Sequence, residues 1–315
     1  MGKVASTILM IRPASFGFNA QTAENNVFQS SIASLSPKEI QQNALEEFDA
    51  FVDILREKNI DVIVLQDEPE PTRPDAIFPN NWFCTLGDGT VTIFPMFAPN
   101  RRIEKRDDLL QMLKDKYDVK GMEDWSEYEN QDLFLEGTGS MIIDHQNKLI
   151  YACLSPRTHT AVLEKFAQAH GYRALTFHAK DENGVDIYHT NVIMHLGEDY
   201  AVICLESIPD ETEKSALSGL LIATGHEIMP ITLQQVHAYA GNMLQVKNRH
   251  GEKFTLLSRQ AYDSLTKEQI DKLQIHTQLL PIDISTIETV GGGSVRCMVA
   301  EIFLEKKELK LKIPR

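Results

Sequence analysis

The stretch GGGSVRCM, residues 291–298, places three glycines directly before a cysteine and a short apolar run. Glycine lets the backbone take angles that other residues avoid, and it lets a ligand approach closely. Cys297 would then be a positioned, reactive thiol on a short strand. The alternative is a glycine-rich turn before an edge strand, with Cys297 as a small buried hydrophobic residue. The remainder of the chain favours the first interpretation.

The composition is that of a soluble globular protein: 43% of the 315 residues are hydrophobic and 24% are charged. A formal net charge of −14 argues against nucleic acid and anionic membranes as partners, because both favour basic surfaces. No apolar run is long enough to span a bilayer. Four scattered cysteines without a Cys-x-x-Cys pair argue against a disulfide framework and a zinc site. We expect a cytoplasmic protein without metal or cofactor that binds a small molecule, and we leave a homodimer open.

A repeated pattern of hairpin and helix runs along the chain. Each hairpin consists of two short apolar runs around a polar turn, and the hairpins lie at residues 78–94, 136–154, 189–205 and 240–257, with the weakest at 297–304 and 308–313. Helical periodicity predicts helices at residues 36–58, 99–117, 157–170, 210–224 and 266–273. Further strands follow at residues 61–65, 174–177 and 227–231. The unit occurs about five times if the N-terminal strand closes against the C-terminal one.

One polar residue begins each hairpin, and these residues are almost evenly spaced. They are Asn81, Glu136, His189, Asn242 and Cys297, separated by 55, 53, 53 and 55 residues. If the units form a ring, equivalent points converge on its axis. Polar loops between strands would explain the polarity, but not a cysteine, a histidine and a carboxylate at one phase of the repeat.

Cysteine, histidine and a carboxylate are the parts of an activated thiol nucleophile. His189 would act as general acid and base, since its reference pKa of about 6.5 lies in the working range. Glu136 would orient the imidazole or stabilise its charge. Arg296 is expected to be solvated or ion-paired, because adjacent strand residues point to opposite faces.

Four segments of the chain resemble the guanidino-group-modifying superfamily, which includes arginine deiminases, dimethylarginine dimethylaminohydrolases and amidinotransferases. They are DAIFPNN at 75–81, LEGTG at 135–139, HTN at 189–191 and GGGSVRC at 291–297. The resemblance implies a single domain over residues 1–315, folded as a five-bladed α/β propeller (pentein) of ββαβ repeats with pseudo-fivefold symmetry. It also implies Cys297 as nucleophile, His189 as general acid and base, and Glu136 as the carboxylate partner.

The resemblance extends to substrate-binding residues. APNRR at 98–102 is similar to the APSRR segment of dimethylaminohydrolases, which assigns Arg101 to the substrate α-carboxylate. LSPRT at 154–158 is similar to their LSKRT and assigns Arg157 to the same group. An arginine fork suits a carboxylate. The alternative is that both arginines are ordinary first-turn helix residues. Asp75 matches the aspartate that holds the substrate amino group.

Departures from the family pattern concern the guanidinium-binding carboxylates. Asn81 and Asn191 stand where arginine deiminases have aspartates, and Asn80 with Asn81 replaces the Glu-Asp pair of dimethylaminohydrolases. A buried guanidinium needs anionic partners, whereas an amide offers both an acceptor and donors and suits a neutral ureido group. Residues 11–19 (IRPASFGFN) and 22–26 (TAENN) moreover resemble the citrulline-utilisation hydrolases.

The resulting expectation is a hydrolase that converts L-citrulline to L-ornithine, ammonia and carbon dioxide through a covalent cysteine intermediate. Asp75, Arg101 and Arg157 would hold the amino-acid end, and Asn80, Asn81 and Asn191 would recognise the ureido group. An arginine deiminase or dimethylarginine dimethylaminohydrolase, an amidinotransferase and a non-catalytic amino-acid-binding propeller remain as alternatives. The segment 16–19 (FGFN) is a candidate lid, because its glycine can serve as a hinge.

Overall fold

The computed structural model describes residues 4–307, so the strand predicted at 308–313 lies outside the described residues. The strands are β1 Thr7–Arg12, β2 Asp61–Gln66, β3 Phe83–Thr85, β4 Thr90–Ile93, β5 Gly121–Asp124, β6 Ile142–Asp144, β7 Leu149–Cys153, β8 Arg173–Phe177, β9 Met194–Leu196, β10 Tyr200–Ile203, β11 Glu227–Pro230, β12 Leu244–Lys247, β13 Lys253–Ser258, β14 Gln278–Ile282 and β15 Ala300–Glu301. The α-helices are α1 Ala20–Ala23, α2 Pro37–Glu57, α3 Asp107–Lys116, α4 Gly137–Ser140, α5 Thr160–Ala169, α6 Glu211–Ala223, α7 Leu233–His237, α8 Arg259–Ser264, α9 Lys267–His276 and α10 Ser285–Gly291. Short 3-10 helices cover Pro79–Asn81, Pro99–Glu104, Ser126–Gln131, Thr190–Val192 and Leu205–Ser207.

The strands form small sheets that repeat one pattern. In each three-stranded sheet, a first strand runs antiparallel to a central strand, and the central strand runs parallel to a third. The sheets are β3-β4-β5, β6-β7-β8, β9-β10-β11, β12-β13-β14 and β15-β1-β2. The mixed α/β fold and its five small sheets agree with the predicted repeat.

The fifth sheet joins the two ends of the chain. Strand β1 pairs antiparallel with β15, with Ile8 opposite Glu301 and Leu9 opposite Ala300. The expected pairing of the N-terminal strand with the C-terminal one is therefore present. First strands of different sheets also meet: β15 contacts β3, β6 contacts β9, and β9 contacts β12. These contacts bring the residues that precede each first strand towards one another.

Helix α2 shows how a helix attaches to its sheet. Its N-terminus carries a capping box, in which Ser36 accepts from the backbone of Glu39 and the Glu39 side chain accepts from the backbone of Ser36. Its apolar face is fully buried beside β1 and β2 through Phe48, Phe51 and Leu55. Apolar side chains at spacings of three and four residues thus hold the helix on the sheet.

Three predicted helices have different bounds. The helix expected at 99–117 is broken by Lys105 and Arg106, which are extended, because Arg101 and Glu104 form a buried ion pair that a 3-10 turn aligns. The helix expected at 157–170 begins at Thr160, since a turn precedes it, and Arg157 is not a helical residue. The helix expected at 266–273 runs to His276 and follows a separate helix, α8.

The prediction that Cys297 begins a strand at 297–304 is wrong. Consecutive backbone hydrogen bonds from Cys297 to Ser294 and from Met298 to Val295 form turns, and β15 has only two residues. The first glycine is also helical: α10 ends at Gly291, and Gly292 caps it with φ of +64°. Cys297 is therefore held by a series of tight turns between a helix cap and a sheet.

Candidate active site

Five buried polar residues occupy the same point of the repeated unit, directly before the first strand of each sheet. They are Asn81, Glu136, His189, Asn242 and Cys297. Hydrogen bonds join Glu136 to His189 and Asn242 to Cys297. Asn81, His189 and Cys297 line one cleft. Tertiary structure thus brings together residues that are far apart in the chain.

The cleft has an empty volume of about 290 Å³, which lies near the lower end of the range for small-molecule pockets. The three glycines before the cysteine form part of its wall, and protein side chains press against them. A Cβ atom at Gly291 would lie 2.8 Å from the ring of Phe78, and one at Gly292 would lie 2.5 Å from Nδ2 of Asn26. These two glycines therefore make room for neighbouring side chains.

Two amide groups face the sulfur of Cys297. Nδ2 of Asn191 lies 3.5 Å and Nδ2 of Asn242 lies 3.4 Å from Sγ. Arg296 is buried and ion-paired with Glu301 at 2.8 Å, which agrees with the expectation that it would be solvated or ion-paired. Within the described part of the chain, neither a carboxylate nor an imidazole hydrogen-bonds to Sγ.

His189 and Glu136 form a buried pair on the other side of the cleft. Nε2 of His189 lies 2.8 Å from Oε2 of Glu136, and Oε1 accepts from the backbone of Phe97. Burial would raise the pKa of Glu136, but the charge of Arg157 and the hydrogen bond to His189 outweigh burial and lower this pKa to about 2. Burial lowers the pKa of His189 to about 4 despite the hydrogen bond to Glu136. At neutral pH the imidazole is neutral, donates from Nε2 and leaves Nδ1 free to accept a proton.

Arg157 joins the N-terminal segment to the Glu136 carboxylate. Its Nε donates to Oδ1 of Asn25 at 3.0 Å, and its Nη2 donates to the carbonyl of Thr22 at 3.2 Å. Its Nη1 lies 3.5 Å from Oε2 of Glu136, and the guanidinium stacks 4.7 Å from the ring centre of Tyr188. The assignment of Arg157 to a substrate carboxylate remains a prediction.

Arg101 is engaged on every nitrogen. It binds both carboxylate oxygens of Glu104, at 2.9 and 2.8 Å, and donates from Nη1 to Oδ1 of Asn81 at 2.8 Å. Its Nη2 also donates to the carbonyl of Phe78. Burial raises the pKa of Glu104 to about 7, although Arg101 opposes this shift. Arg101 therefore positions Asn81, and its assignment to a substrate carboxylate remains a prediction.

Asp75 presents one unpartnered oxygen. Its Oδ2 accepts from Nδ2 of Asn19 at 2.8 Å and from Oγ1 of Thr22 at 3.3 Å. Its Oδ1 is buried and has no hydrogen-bond partner among residues 4–307. Burial raises the pKa of this carboxyl, and the charge of Arg101 opposes that shift. Such an oxygen in the wall of a cleft suits a substrate donor.

Unpartnered amide atoms also occur on all three predicted ureido-binding asparagines. Nδ2 of Asn81 and Oδ1 of Asn191 are buried without a partner in the described structure. Asn81 lines the cleft, whereas Asn191 contacts Cys297. Both amide atoms of Asn80 are buried and unpartnered, and Asn80 is absent from the residues that line the cleft. The structure thus places Asn81 in the cleft lining and Asn191 against Cys297, and Asn80 does neither.

Sequence reasoning did not assign several residues that line the cleft or bind the residues that line it. Asn242 was noticed for its spacing but received no role, and Glu104 was not noticed. The N-terminal segment supplies Asn19, Thr22 and Asn26 to the site. The motifs at 11–19 and 22–26 were a signal, but nothing local indicates that they fold against residues 75 and 292.

The described residues contain no cluster of three histidine, cysteine or acidic side chains that could hold a metal ion. No helix within residues 4–307 has the length and apolar character needed to cross a membrane.

Comparison with known proteins gives one family and a set of similar folds. A family model described as N,N dimethylarginine dimethylhydrolase, eukaryotic, matches residues 12–304. No curated protein sequence matches the chain. ArgZ, an arginine dihydrolase from the ornithine-ammonia cycle in cyanobacteria, is similar in structure, with a TM-score of 0.73 at 16% identity. The similarity covers 96% of this chain and 41% of ArgZ, so the chain spans less than half the length of that relative.

Two further structures share the fold over their whole length. The N-terminal domain of ArgZ, bound to substrate, gives a TM-score of 0.72 at 15% identity, with 94% of this chain and 97% of that domain covered. A dimethylarginine dimethylaminohydrolase variant in adduct with S-methyl-L-thiocitrulline gives 0.62 at 14% identity, with 95% and 100% covered. At these identities the likeness establishes the fold.

Proposed function

The chain belongs to the N,N-dimethylarginine dimethylhydrolase family, and we propose that it is a cysteine-dependent hydrolase of a C–N bond in a ureido or guanidino amino acid. The resemblance to the guanidino-modifying superfamily is thereby confirmed. We further propose that residues 1–315 form one domain whose five sheets close into a five-bladed propeller around the cleft. The pairing of β1 with β15 and the contacts between first strands support that closure.

The single observation that carries the substrate assignment is the pair of unpartnered amide atoms. Because Oδ1 of Asn81 accepts from Arg101, Nδ2 of Asn81 is left as a buried donor. Because Nδ2 of Asn191 faces Cys297, Oδ1 of Asn191 is left as a buried acceptor. A ureido group has a carbonyl and N–H groups and can satisfy both atoms, whereas a guanidinium has donors only. The preferred substrate is therefore a neutral ureido amino acid, with L-citrulline as the leading candidate.

The reaction uses the two sides of the cleft. The thiolate of Cys297 attacks the ureido carbon, and the S–C bond forms as the C–N bond to the δ-nitrogen breaks. His189, neutral at rest, takes up one proton as the substrate binds and passes it to the departing amine, while Glu136 stabilises the imidazolium. Water activated by His189 then attacks the carbonyl carbon of the S-carbamoyl intermediate, and the S–C bond breaks to regenerate the thiol and release carbamate. Carbamate breaks down to ammonia and carbon dioxide. The products are ornithine, ammonia and carbon dioxide.

An arginine-type substrate is the second candidate, and the comparisons favour it. The family model is named for dimethylarginine, and ArgZ is an arginine dihydrolase. An asparagine-to-serine variant of ArgZ carries a covalently bound reaction intermediate. On this alternative, Asp75 and Glu136 would have to balance the cation, because the amides cannot.

Purified protein should be assayed for ammonia and ornithine release from citrulline, arginine and dimethylarginine, beside Cys297→Ala. We expect turnover of citrulline that Cys297→Ala abolishes. Turnover of arginine or dimethylarginine but not citrulline would refute the ureido assignment. Undiminished turnover in Cys297→Ala would refute the covalent mechanism.

A charge substitution tests the selectivity argument directly. Asn81→Asp combined with Asn191→Asp replaces two amides by carboxylates of the same size, and preference should shift from citrulline towards arginine by at least tenfold in kcat/KM. Asn248→Asp is the matched control, because Asn248 is equally buried and lies in the turn between β12 and β13, outside the cleft. If the double variant gains no affinity for arginine, the amides do not determine selectivity.

A further inference from the structure

We propose that the thiolate of Cys297 is stabilised in the free protein by two amide N–H donors, of which Asn242 is one that has no other part in the site. The second donor is Asn191. The inference rests on the proposed function in taking Cys297 as the nucleophile, and it is supported by the neutral substrate proposed there. It concerns Asn242, which lies directly before β12 and contacts Sγ of Cys297.

The orientation of the Asn242 amide is determined by its two backbone partners. Its Oδ1 accepts from the backbone N–H of Arg296 at 3.0 Å, and its Nδ2 donates to the carbonyl of Asn191 at 2.9 Å. In a flipped amide, Nδ2 would face the backbone N–H of Arg296, so two donors would meet. Oδ1 would face the carbonyl of Asn191, so two acceptors would meet. Nδ2 must therefore be the atom that faces Sγ.

The sulfur has donors within reach that an ionised thiol can use. Nδ2 of Asn242 lies 3.4 Å from Sγ, and Oδ1 lies 3.8 Å away. A thiolate would accept from Nδ2, whereas a thiol would donate to Oδ1. Nδ2 of Asn191 approaches to 3.5 Å and supplies the second donor. Hydrogen bonds to the charged form of a group favour that form.

Arg101 and Arg157 line the cleft with Cys297, but no cationic side chain among residues 4–307 hydrogen-bonds to Sγ. His189 is neutral at rest and forms no hydrogen bond with Sγ, and Arg296 is committed to Glu301. A cationic substrate would itself stabilise a thiolate, but a ureido substrate cannot. A protein that acts on a neutral substrate must therefore supply the stabilisation itself, and the two amides are placed to do so. The proton released by Sγ passes to water.

Two carboxyl groups near the thiol change ionisation within the pH range of the test. Burial raises the pKa of Glu104, which binds Arg101, and of Glu288, which accepts from Ser294, to about 7. Both are present in the parent and in every variant, so the shift between two proteins does not include their effect. The charged and titratable side chains that line the cleft with Cys297 or interact with it electrostatically are Asp75, Arg101, Arg157, Tyr188, His189 and Tyr239. Burial raises the pKa of both tyrosines above their ordinary value, so they remain neutral across the pH range of the experiment.

The experiment measures the rate of iodoacetamide alkylation of the full chain against pH, without substrate, and subtracts the rate of Cys297→Ala. Asn242→Asp keeps the acceptor for Arg296 and sets a carboxylate oxygen against Sγ. Its alkylation midpoint should rise by at least one pH unit, which is tenfold in the ionisation constant, or about 1.4 kcal/mol. Asn191→Ala removes the other donor, keeps the carbonyl that Asn242 binds, and should also raise the midpoint.

Two variants serve as references. Asn248→Asp adds a buried acid away from the cleft and should leave the midpoint within about 0.3 pH unit of the parent, far below the shift expected from one lost charged hydrogen bond. His189→Gln should also leave the alkylation midpoint close to that of the parent, because it replaces one neutral group by another. Circular dichroism shows which variants fold. If a folded Asn242→Asp or a folded Asn191→Ala has the same alkylation midpoint as the parent, the proposal is wrong. It is also wrong if His189→Gln raises the midpoint as much as they do. Because no substrate is present, failure of citrulline turnover would leave this result intact.

Discussion

Gly139 is the position at which a single methyl group would displace both His189 and Asn81, two residues of the proposed mechanism. It lies in α4, and a Cβ atom there would stand 2.4 Å from Nδ2 of Asn81 and 2.8 Å from both Cε1 and Nδ1 of His189. Ordinary van der Waals contact begins at 3.4 Å, so in Gly139→Ala the amide of Asn81 must move by about 1 Å (3.4 − 2.4) and the ring of His189 by about 0.6 Å (3.4 − 2.8). The substitution therefore tests whether His189 and Asn81 act from the positions that the structure gives them.

The two effects of this substitution differ in size. Overpacking in a close-packed interior destabilises by about 1–3 kcal/mol. A displacement of about 1 Å in a reacting group lowers the rate by about 100-fold. We therefore expect Gly139→Ala to remain folded with a modestly lower free energy of unfolding and to lose about 99% of kcat.

The assay compares citrulline-dependent ammonia release and urea unfolding in Gly139→Ala and in the matched control Gly219→Ala. Gly219 lies in α6, and a Cβ atom there would have no neighbour within 4 Å, so alanine should stabilise by about 0.5–1 kcal/mol and leave kcat unchanged. Parental turnover in a folded Gly139→Ala would refute the placement of His189 and Asn81 in the reaction.

Three further outcomes follow from the geometry. Asp75→Asn should raise KM for citrulline by about 10- to 100-fold with a smaller change in kcat, because the unpartnered Oδ1 would lose its charge, and equal KM values would contradict its role. Glu136→Gln should lower kcat by about 100-fold, because the imidazolium of His189 loses its carboxylate partner; an unchanged kcat would show that the pair is structural. The pKa of His189 is lowered from 6.5 to about 4 in the folded protein. As the pH falls from about 6.5 to about 4, the unfolded chain therefore takes up a proton at this residue before the folded protein does, and the free energy of unfolding should decrease. Urea unfolding should show a flatter pH dependence there for His189→Gln. Glu136 affects stability at lower pH. Its lowered pKa stabilises the folded protein above about pH 4.5, and this contribution is lost as the pH falls towards 2.

The repeat could be predicted from the sequence because it consists of a regular spacing of residue types along the chain. Polar turns between short apolar runs predicted the hairpins, and the spacing of 53 to 55 residues identified five equivalent positions. The helix predicted at residues 36–58 likewise begins at Pro37, within one residue of the expected position. The same reasoning failed where a tertiary contact overrode local preference. The helix expected at 99–117 breaks because Arg101 and Glu104 form a buried pair.

The sequence proposed residues for substrate binding by their chemical type, but it did not indicate their contacts. Motifs singled out Arg101, Arg157 and Asp75, but the structure engages both guanidinium groups with protein partners. Glu104 could not have been recognised, because a carboxylate three residues after an arginine usually marks an exposed pair. Its burial depends on how the 3-10 turn packs under the cleft.

By itself the sequence determined the five-unit plan and the chemical types that meet at its centre, because periodicity and residue identity are local properties. It could not determine which atom of each amide binds a protein partner and which atom remains for the sulfur or for a substrate. That choice depends on partners brought in by the fold, such as the backbone N–H of Arg296 for Asn242 and the guanidinium of Arg101 for Asn81. The glycines before Cys297 show the same division, since their spacing is visible in the sequence but the side chains that press against them come from Phe78 and Asn26. Only the packed structure brings those groups within hydrogen-bonding and van der Waals range, and those short-range forces set the chemistry of the site.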